Sequence, residues 1–344
     1  MTFEPDSLIV VAEAAQGYEG NAGLAHALIR AAASAGADAL KLQLVYADEL
    51  CTPDYKYQQL FRSLEMADGT WREIAEHARQ RGIHLMLDVF GPRSLNVAVE
   101  IGAVAVKIHS TDMVNVGLLQ EVASSPAPLV LLSTGGCSRD EISEALGILG
   151  EKDLVLLHGY QGYPTPLKAN HIGRLRALRA IAAETRCSVP ARLGFADHVP
   201  SDDPLRFTLA ATALGLGASV LEKHITLAHV MKMEDHESAL NPDEFATFAN
   251  NMRQCYQAMD PGSVDAPDFG MDESERSYRE NTRKHVVALR PIPAETVISP
   301  GAVGLKRTSA KSFLTDTREV YGKQVGRDIA TDTAVTREML KGDA

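Results

Sequence analysis

The sequence is poor in cysteine, with four in 344 residues, at the well-separated positions Cys51, Cys137, Cys187 and Cys255. With no CxxC pair among them, neither a disulfide framework nor a zinc knuckle is expected. Positive charge is also scarce. A formal net charge of −11 argues against a general nucleic-acid or anionic-membrane surface, while leaving room for a small basic pocket for an anionic metabolite. Long apolar runs are missing, and no stretch approaches the roughly 18 uninterrupted apolar residues of a membrane span. The opening "MTFEPDSLIVVAEAA" carries acids before a short apolar run, unlike the basic-then-apolar order of a signal peptide. No apolar run is followed by GxGxxG, which weakens the case for a doubly wound dinucleotide-binding sheet. What remains is the expectation of a reduced cytoplasmic protein, long enough for one large domain or a large one with a small one.

What is present is an alternation. Short apolar or β-branched runs occur at 7–14, 37–45, 83–90, 103–110, 128–135, 153–159, 191–198 and 218–225. Between them lie amphipathic segments such as "NAGLAHALIRAAASAG" (21–36), "TWREIAEHARQRG" (70–82) and "SRDEISEALGILG" (138–150), the last opening on a Ser138–Glu141 capping-box pattern. Near-continuous apolar strands alternating with helices predict a parallel sheet covered by helices. Eight such units in about 250 residues match the count and size of a TIM (β/α)8 barrel of the α/β class. A barrel domain over 1–258 is therefore expected. A linker rich in Asp, Pro, Gly and Ser follows at 259–282, and a small β-rich domain with Pro and Gly turns at 283–344.

The apolar runs end in polar residues: Glu13, Lys41 with Gln43, Asp88, Lys107 with Ser110, Ser133 with Thr134, His158, Asp197 with His198, and Glu222–Lys223–His224. In a TIM barrel the active site lies at the C-terminal strand ends, so these residues are expected to converge. His198 and His224, on neighbouring strands, are the metal candidates. Neutral imidazole suits first-row divalent ions, and Asp197, Glu222 or Asp235 could complete an N/O shell with water. The bland alternative is one core and one rim histidine. Lys41 and Lys107 stand inside apolar runs, where an unpaired ammonium is costly. Either they pair with carboxylates such as Glu13 and Asp112, or they face a bound anion to which Ser110, Ser133 and Thr134 add donors. A lysine Schiff base is a further option that nothing local selects.

The segments "AEAAQGYEG", "KLQ", "KIHSTD", "LLSTGG", "LLHGYQGYPTP", "GFADH" and "EKHITL…MEDHESALNPDEF" occur in that order. They resemble the motifs of the sialic acid synthases, meaning the N-acetylneuraminate, legionaminate and pseudaminate synthases, and the resemblance runs over nearly the whole chain. The tail resembles their antifreeze-like (SAF, β-clip) domain. The resemblance implies condensation of phosphoenolpyruvate with the open-chain aldehyde of an N-acyl hexosamine, giving a nonulosonic 3-deoxy acid and phosphate. It implies a divalent cofactor, usually Mn2+, with Mg2+ or Co2+ as options. Carried over by motif, His198 and His224 would ligate the metal, and Lys41, Lys107 and Ser110 would hold phosphoenolpyruvate. Glu13 would lie in the metal and water region, and Asp112 would be the acid two places after the "KI.S" serine. Gln43, Tyr163 and Asp235 would meet the sugar hydroxyls. A domain-swapped homodimer is also implied, in which Arg307 of "GLKRTSAKS" reaches the N-acyl group in the partner's site.

The chain departs from the family pattern at several donors. Gly17, Tyr18 and Glu19 replace an Asn–His–Asn run, Asp88 replaces a threonine and Ala196 a serine. Gln161 replaces an asparagine, and Thr308 follows Arg307 in place of proline. Asp88 and Gln161 thus fall at donor-binding positions, and a carboxylate at 88 would repel a triply charged ligand unless protonated or paired. The competing readings are a metal-dependent aldolase or lyase acting on a keto acid, which needs no phosphate pocket, and a non-catalytic sugar-acid binding protein.

Overall fold

The computed structural model describes residues 3, 7–160, 162, 164–185, 191–259, 265–310 and 314–342. The chain divides into two compact units, Met1–Met259 and Asp260–Ala344.

In the first unit eight parallel strands close into a barrel in sequence order. They are β1 (Ile9–Ala15), β2 (Ala39–Gln43), β3 (His84–Val89), β4 (Ala105–Ile108), β5 (Val130–Ser133), β6 (Leu154–Gly159), β7 (Arg192–Asp197) and β8 (Ala218–His224). Each overlaps one of the eight apolar runs. The TIM barrel expected from the alternation is the observed fold. The helices end where local chemistry dictates. Asn21 caps Ala22–Ser34 by accepting from the Gly23 and Leu24 N–H groups, and Gly36 follows at φ +76°, where a side chain would be strained. Ser138 and Glu141 form both bonds of the capping box that opens Arg139–Leu149.

The pleat decides which side chains meet. Successive residues of a strand point to opposite faces. One set, including Val10, Leu40, Leu87, Leu132, Leu156 and Leu221, packs with the surrounding helices in one large apolar cluster. The alternate set, including Ile9, Val11, Met86, Leu131, Leu157 and Val220, forms a separate cluster that fills the barrel interior. Toward the C-terminal ends the interior positions turn polar: Glu13 follows Val11, Lys41 follows Ala39, Asp88 follows Met86, Lys107 follows Ala105, and Glu222 follows Val220.

The second unit has its own apolar core, including Val286, Ile292, Ile298, Val320 and Val335. Strand β9 (His285–Ala288) pairs antiparallel with β10 (Val303–Lys306), and single bridges such as Ile292↔Ile329 and Val297↔Gln324 tie in the turns. The stretch read from composition as a linker, 259–282, contains a ten-residue helix, Glu273–Thr282, opened by a reciprocal Asp272–Glu275 capping box. No helix among the described residues is long and apolar enough to cross a membrane. Cys51, Cys137 and Cys255 are free thiols, and Cys187 lies outside the described residues.

Candidate active site

Five charged side chains from five strands meet at the barrel mouth. Register places Glu13 beside Lys41 and Asp88 beside Lys107. Lys41 Nζ is ion-paired with Glu13, lies 2.7 Å from Asp88 Oδ1 and 3.6 Å from Glu222 Oε2. Lys107 Nζ lies 3.2 Å from Glu222 Oε1 and 3.4 Å from Asp88 Oδ2. All five are buried. The alternative in which carboxylates neutralise the lysines is thus realised, with Asp88 and Glu222 as partners beside Glu13. Asp112 is not among them: its Oδ1 accepts from Asn115 Nδ2 at 2.9 Å in the turn Ser110–Asp112 after β4.

Three carboxylates against two ammonium groups leave the cluster one negative charge in excess, and the ionisation equilibria respond. Burial, with Glu222 and Asp88 adding to it and Lys41 opposing, pushes the Glu13 carboxyl up to about 8. Burial also works to raise Asp88, but the Lys107 and Lys41 ammoniums outweigh it and hold that carboxyl below its ordinary range. Both lysines are disfavoured by burial and nonetheless held charged by the carboxylates around them. Burial thus favours the protonated form of Glu13.

Beside this cluster stand two histidines. His198 follows β7, His224 ends β8, and their ring centroids are 5.3 Å apart with planes inclined at 58°. His198 Nδ1–H donates to the Tyr160 carbonyl at 3.0 Å, which fixes the tautomer whose Nε2 carries the lone pair. Gly159 makes room for this ring, since a Cβ there would come within 3.0 Å of Ala196 Cβ and 3.4 Å of His198 Cε1. Burial, then Lys107, drives His198 down to about 3; burial, His198 and the two mouth lysines hold His224 well below its usual value. Both rings are neutral imidazoles, the form that binds a divalent ion. Asp235 Oδ2 lies 3.7 Å from His224 Nδ1, its carboxyl raised by burial, with help from Glu234 and Glu237, to about 6. Among the described residues no group of three or more His, Cys, Asp or Glu is arranged to hold a metal. The donor set fits an ion bound through two protein nitrogens, its other positions left to water and substrate.

Several sequence expectations are redirected. Asp197 and Glu222 do not join the histidines: Glu222 serves the lysines, and Asp197 pairs with Lys223 at 3.3 Å. His158 belongs to the helix-facing side, where its Nε2–H donates to the Asn170 carbonyl at 2.8 Å and its ring lies near Phe195. Gln43 ends β2 and accepts from Gln16 Nε2 at 2.8 Å, while the Tyr18 hydroxyl donates to its carbonyl. Ser110 is half-buried at the start of the turn after β4. Arg307, in the second unit, is exposed, and its Nε donates to the Thr282 carbonyl at 3.2 Å. Gln161 and Tyr163 lie outside the described residues.

Sequence reasoning passed over His109, whose pKa is lowered by burial and then by Lys107, and whose Nδ1 accepts from the Thr111 N–H. The signal was its place in "KIHSTD", between Lys107 and Ser110.

The model of the NeuB family matches residues 28–264, more than half of the chain. The N,N'-diacetyllegionaminic acid synthase of Campylobacter jejuni is 29% identical over 95% of this chain and 98% of its own length. The N-acetylneuraminate-9-phosphate synthase of Mus musculus is 26% identical over 96% and 92%. Among solved structures, the N-acetylneuraminic acid (sialic acid) synthetase of Leptospira borgpetersenii shares the fold at a TM-score of 0.69 and 24% identity, over 80% of this chain and 93% of that one.

Proposed function

The chain belongs to the NeuB family of sialic acid synthases, and on that premise we propose that it condenses phosphoenolpyruvate with the open-chain aldehyde of an N-acyl hexosamine. The methylene carbon of the donor bonds to the aldehyde carbon, one water is consumed, phosphate leaves, and a nonulosonic 3-deoxy acid results. The observation that carries this reading is the meeting, at one barrel end, of a buried lysine–carboxylate cluster with two neutral histidines.

Lys107, with Ser110 in the adjoining turn, faces the donor's anionic groups, and Lys41 adds positive charge behind it. His198 and His224 would hold the divalent ion, Mn2+ in this proposal, and its chemistry there would be polarisation of the aldehyde oxygen. Glu13, whose protonated form burial favours and which is paired in register with His224, is the candidate acid for delivering a proton to developing alkoxide charge. Gln43, Asp235 and Tyr163 orient the sugar, Gln161 stands with the donor site, and Asp112 shapes the turn that presents Ser110. The second unit is read as a SAF domain, and in a cytoplasmic homodimer Arg307 would reach the N-acyl group of the sugar held by the partner subunit. Its planar guanidinium suits an amide carbonyl.

A second reading, a metal-dependent aldolase or lyase acting on a keto acid, draws support from Asp88, whose charge is already spent on both lysines and opposes a trianionic donor. Incubating the manganese-loaded protein with phosphoenolpyruvate and a panel of aldoses, while measuring phosphate release and product mass, separates the two. Sugar-dependent phosphate release with a product three carbons longer supports the synthase. Retro-aldol cleavage of a keto acid without phosphate release supports the lyase.

A further inference from the structure

We propose that Asp88 acts as an internal anion that commits Lys41 to the protein, so that Lys107 is the lysine that meets the donor, and that Asp88 thereby sets donor affinity and charge preference. The proposal rests on the reading of this site as the pocket of an anionic donor.

An ammonium group has three N–H donors. Lys41 donates to Asp88 Oδ1 at 2.7 Å, touches the Glu13 carboxyl, has Glu222 Oε2 3.6 Å away, and is 0% exposed. Enclosed by these three carboxyl groups and shut off from solvent, it offers a ligand no open approach. Lys107 faces two, Asp88 and Glu222, at 3.4 and 3.2 Å, and keeps 8% exposure. Of the two, it alone retains access. Asp88 is the residue common to both, with Oδ1 on Lys41 and Oδ2 on Lys107. It stands where an incoming anion would have to bridge the lysines and carries the same charge as that anion. It thus weakens binding twice, by engaging Lys41 and by repulsion in a site shielded from water, where Coulomb terms are large. The repulsive part scales with ligand charge, so the residue discriminates against highly charged donors in favour of singly charged ones.

The experiment titrates phosphoenolpyruvate, inorganic phosphate and pyruvate calorimetrically into the full-length wild type and three variants: Asp88→Asn, Asp88→Asn/Lys41→Met and Lys107→Met. Asp88→Asn should bind phosphoenolpyruvate at least about tenfold tighter, equivalent to about 1.4 kcal/mol, with a smaller gain for pyruvate. The double variant removes one charge of each sign and should lose that gain. Lys107→Met should bind phosphoenolpyruvate at least about tenfold more weakly than wild type. Should Asp88→Asn fail to fold, Asp88→Ser removes the same charge with a smaller side chain, and Lys107→Met still tests which lysine meets the ligand. Unchanged or weaker binding by Asp88→Asn, with wild-type binding intact, overturns the inference and leaves the synthase reading standing. So does a gain that survives in the double variant, or one equal for pyruvate and phosphoenolpyruvate. No binding of phosphoenolpyruvate or phosphate to either wild type or Asp88→Asn overturns the donor-pocket reading, and the inference with it.

Discussion

Lys223 and Asp197 form a buried ion pair between β8 and β7, with Nζ 3.3 Å from Oδ1, and the same Nζ donates to the Val199 carbonyl at 2.9 Å. Their neighbours Glu222, His198 and His224 belong to the mouth, while the pair lies on the opposite face of the barrel wall. It ties together the chain segments that carry both histidines.

Removing one member of this pair strands the other in a medium that solvates it poorly. Lys223→Met is expected to lower unfolding stability by about 3–5 kcal/mol. The double variant Asp197→Asn/Lys223→Met should recover a large part of that loss. Urea denaturation of the three proteins measures it, and a double variant no more stable than Lys223→Met would show that the lost charge pairing is not the cause.

His158 makes the protein acid-sensitive. Burial lowers its pKa in the folded state, against the opposing bond to the Asn170 carbonyl. The unfolded chain has the ordinary value near 6.5, so below that pH the unfolded state binds the extra proton and the folded state does not. Stability is therefore fully present above about pH 6.5 and declines as pH falls below it, by up to about 1.4 kcal/mol per unit for each such histidine. His109, His198 and His224 act in the same direction. Thermal melts of His158→Gln between pH 7 and 5 should show a shallower decline than wild type, and an identical slope would remove His158 from the account.

His198→Ala and His224→Ala should each abolish manganese binding measured by calorimetry while the far-ultraviolet dichroism stays that of the wild type. Chelation of the wild-type protein should likewise end turnover without unfolding it. Manganese affinity in His224→Ala equal to that of wild type would dismiss the histidine pair as the metal site.

Cross-subunit action of Arg307 predicts complementation. Mixing inactive Arg307→Ala with inactive His224→Ala under conditions of proven subunit exchange should restore part of the activity, because one site of each heterodimer has both residues intact. Absence of recovery would place Arg307 in its own chain's site or outside any site.

The barrel was legible in the sequence because strands buried on both faces read as unbroken apolar runs, and eight of them leave little choice of closure. The convergence of Glu13, Lys41, Lys107, His198 and His224 followed from their place at the strand ends. What composition could not supply was the phase of the pleat. "EKH" reads as three groups at one place, yet Glu222 and His224 face the mouth and Lys223 faces the helices. His158 and Asp197 are turned away by the same alternation.

The role of Asp88 was hidden for a different reason. Its lysine partner Lys41 is 47 residues away in the chain, and Glu222 lies 115 residues from Lys107, so no local pattern encodes these pairings. The helix within the 259–282 stretch was legible after all, since the Asp272–Glu275 spacing of its capping box stands in "DESE". Polar composition concealed it because this helix buries none of its residues.

The alternating strand β8 places two separate duties on adjacent residues. Glu222 and His224 face the barrel mouth, where the proposed chemistry lies, whereas Lys223 between them is held in the wall by Asp197. One face of the strand can therefore be altered by substitution without touching the Asp197–Lys223 clamp on the other.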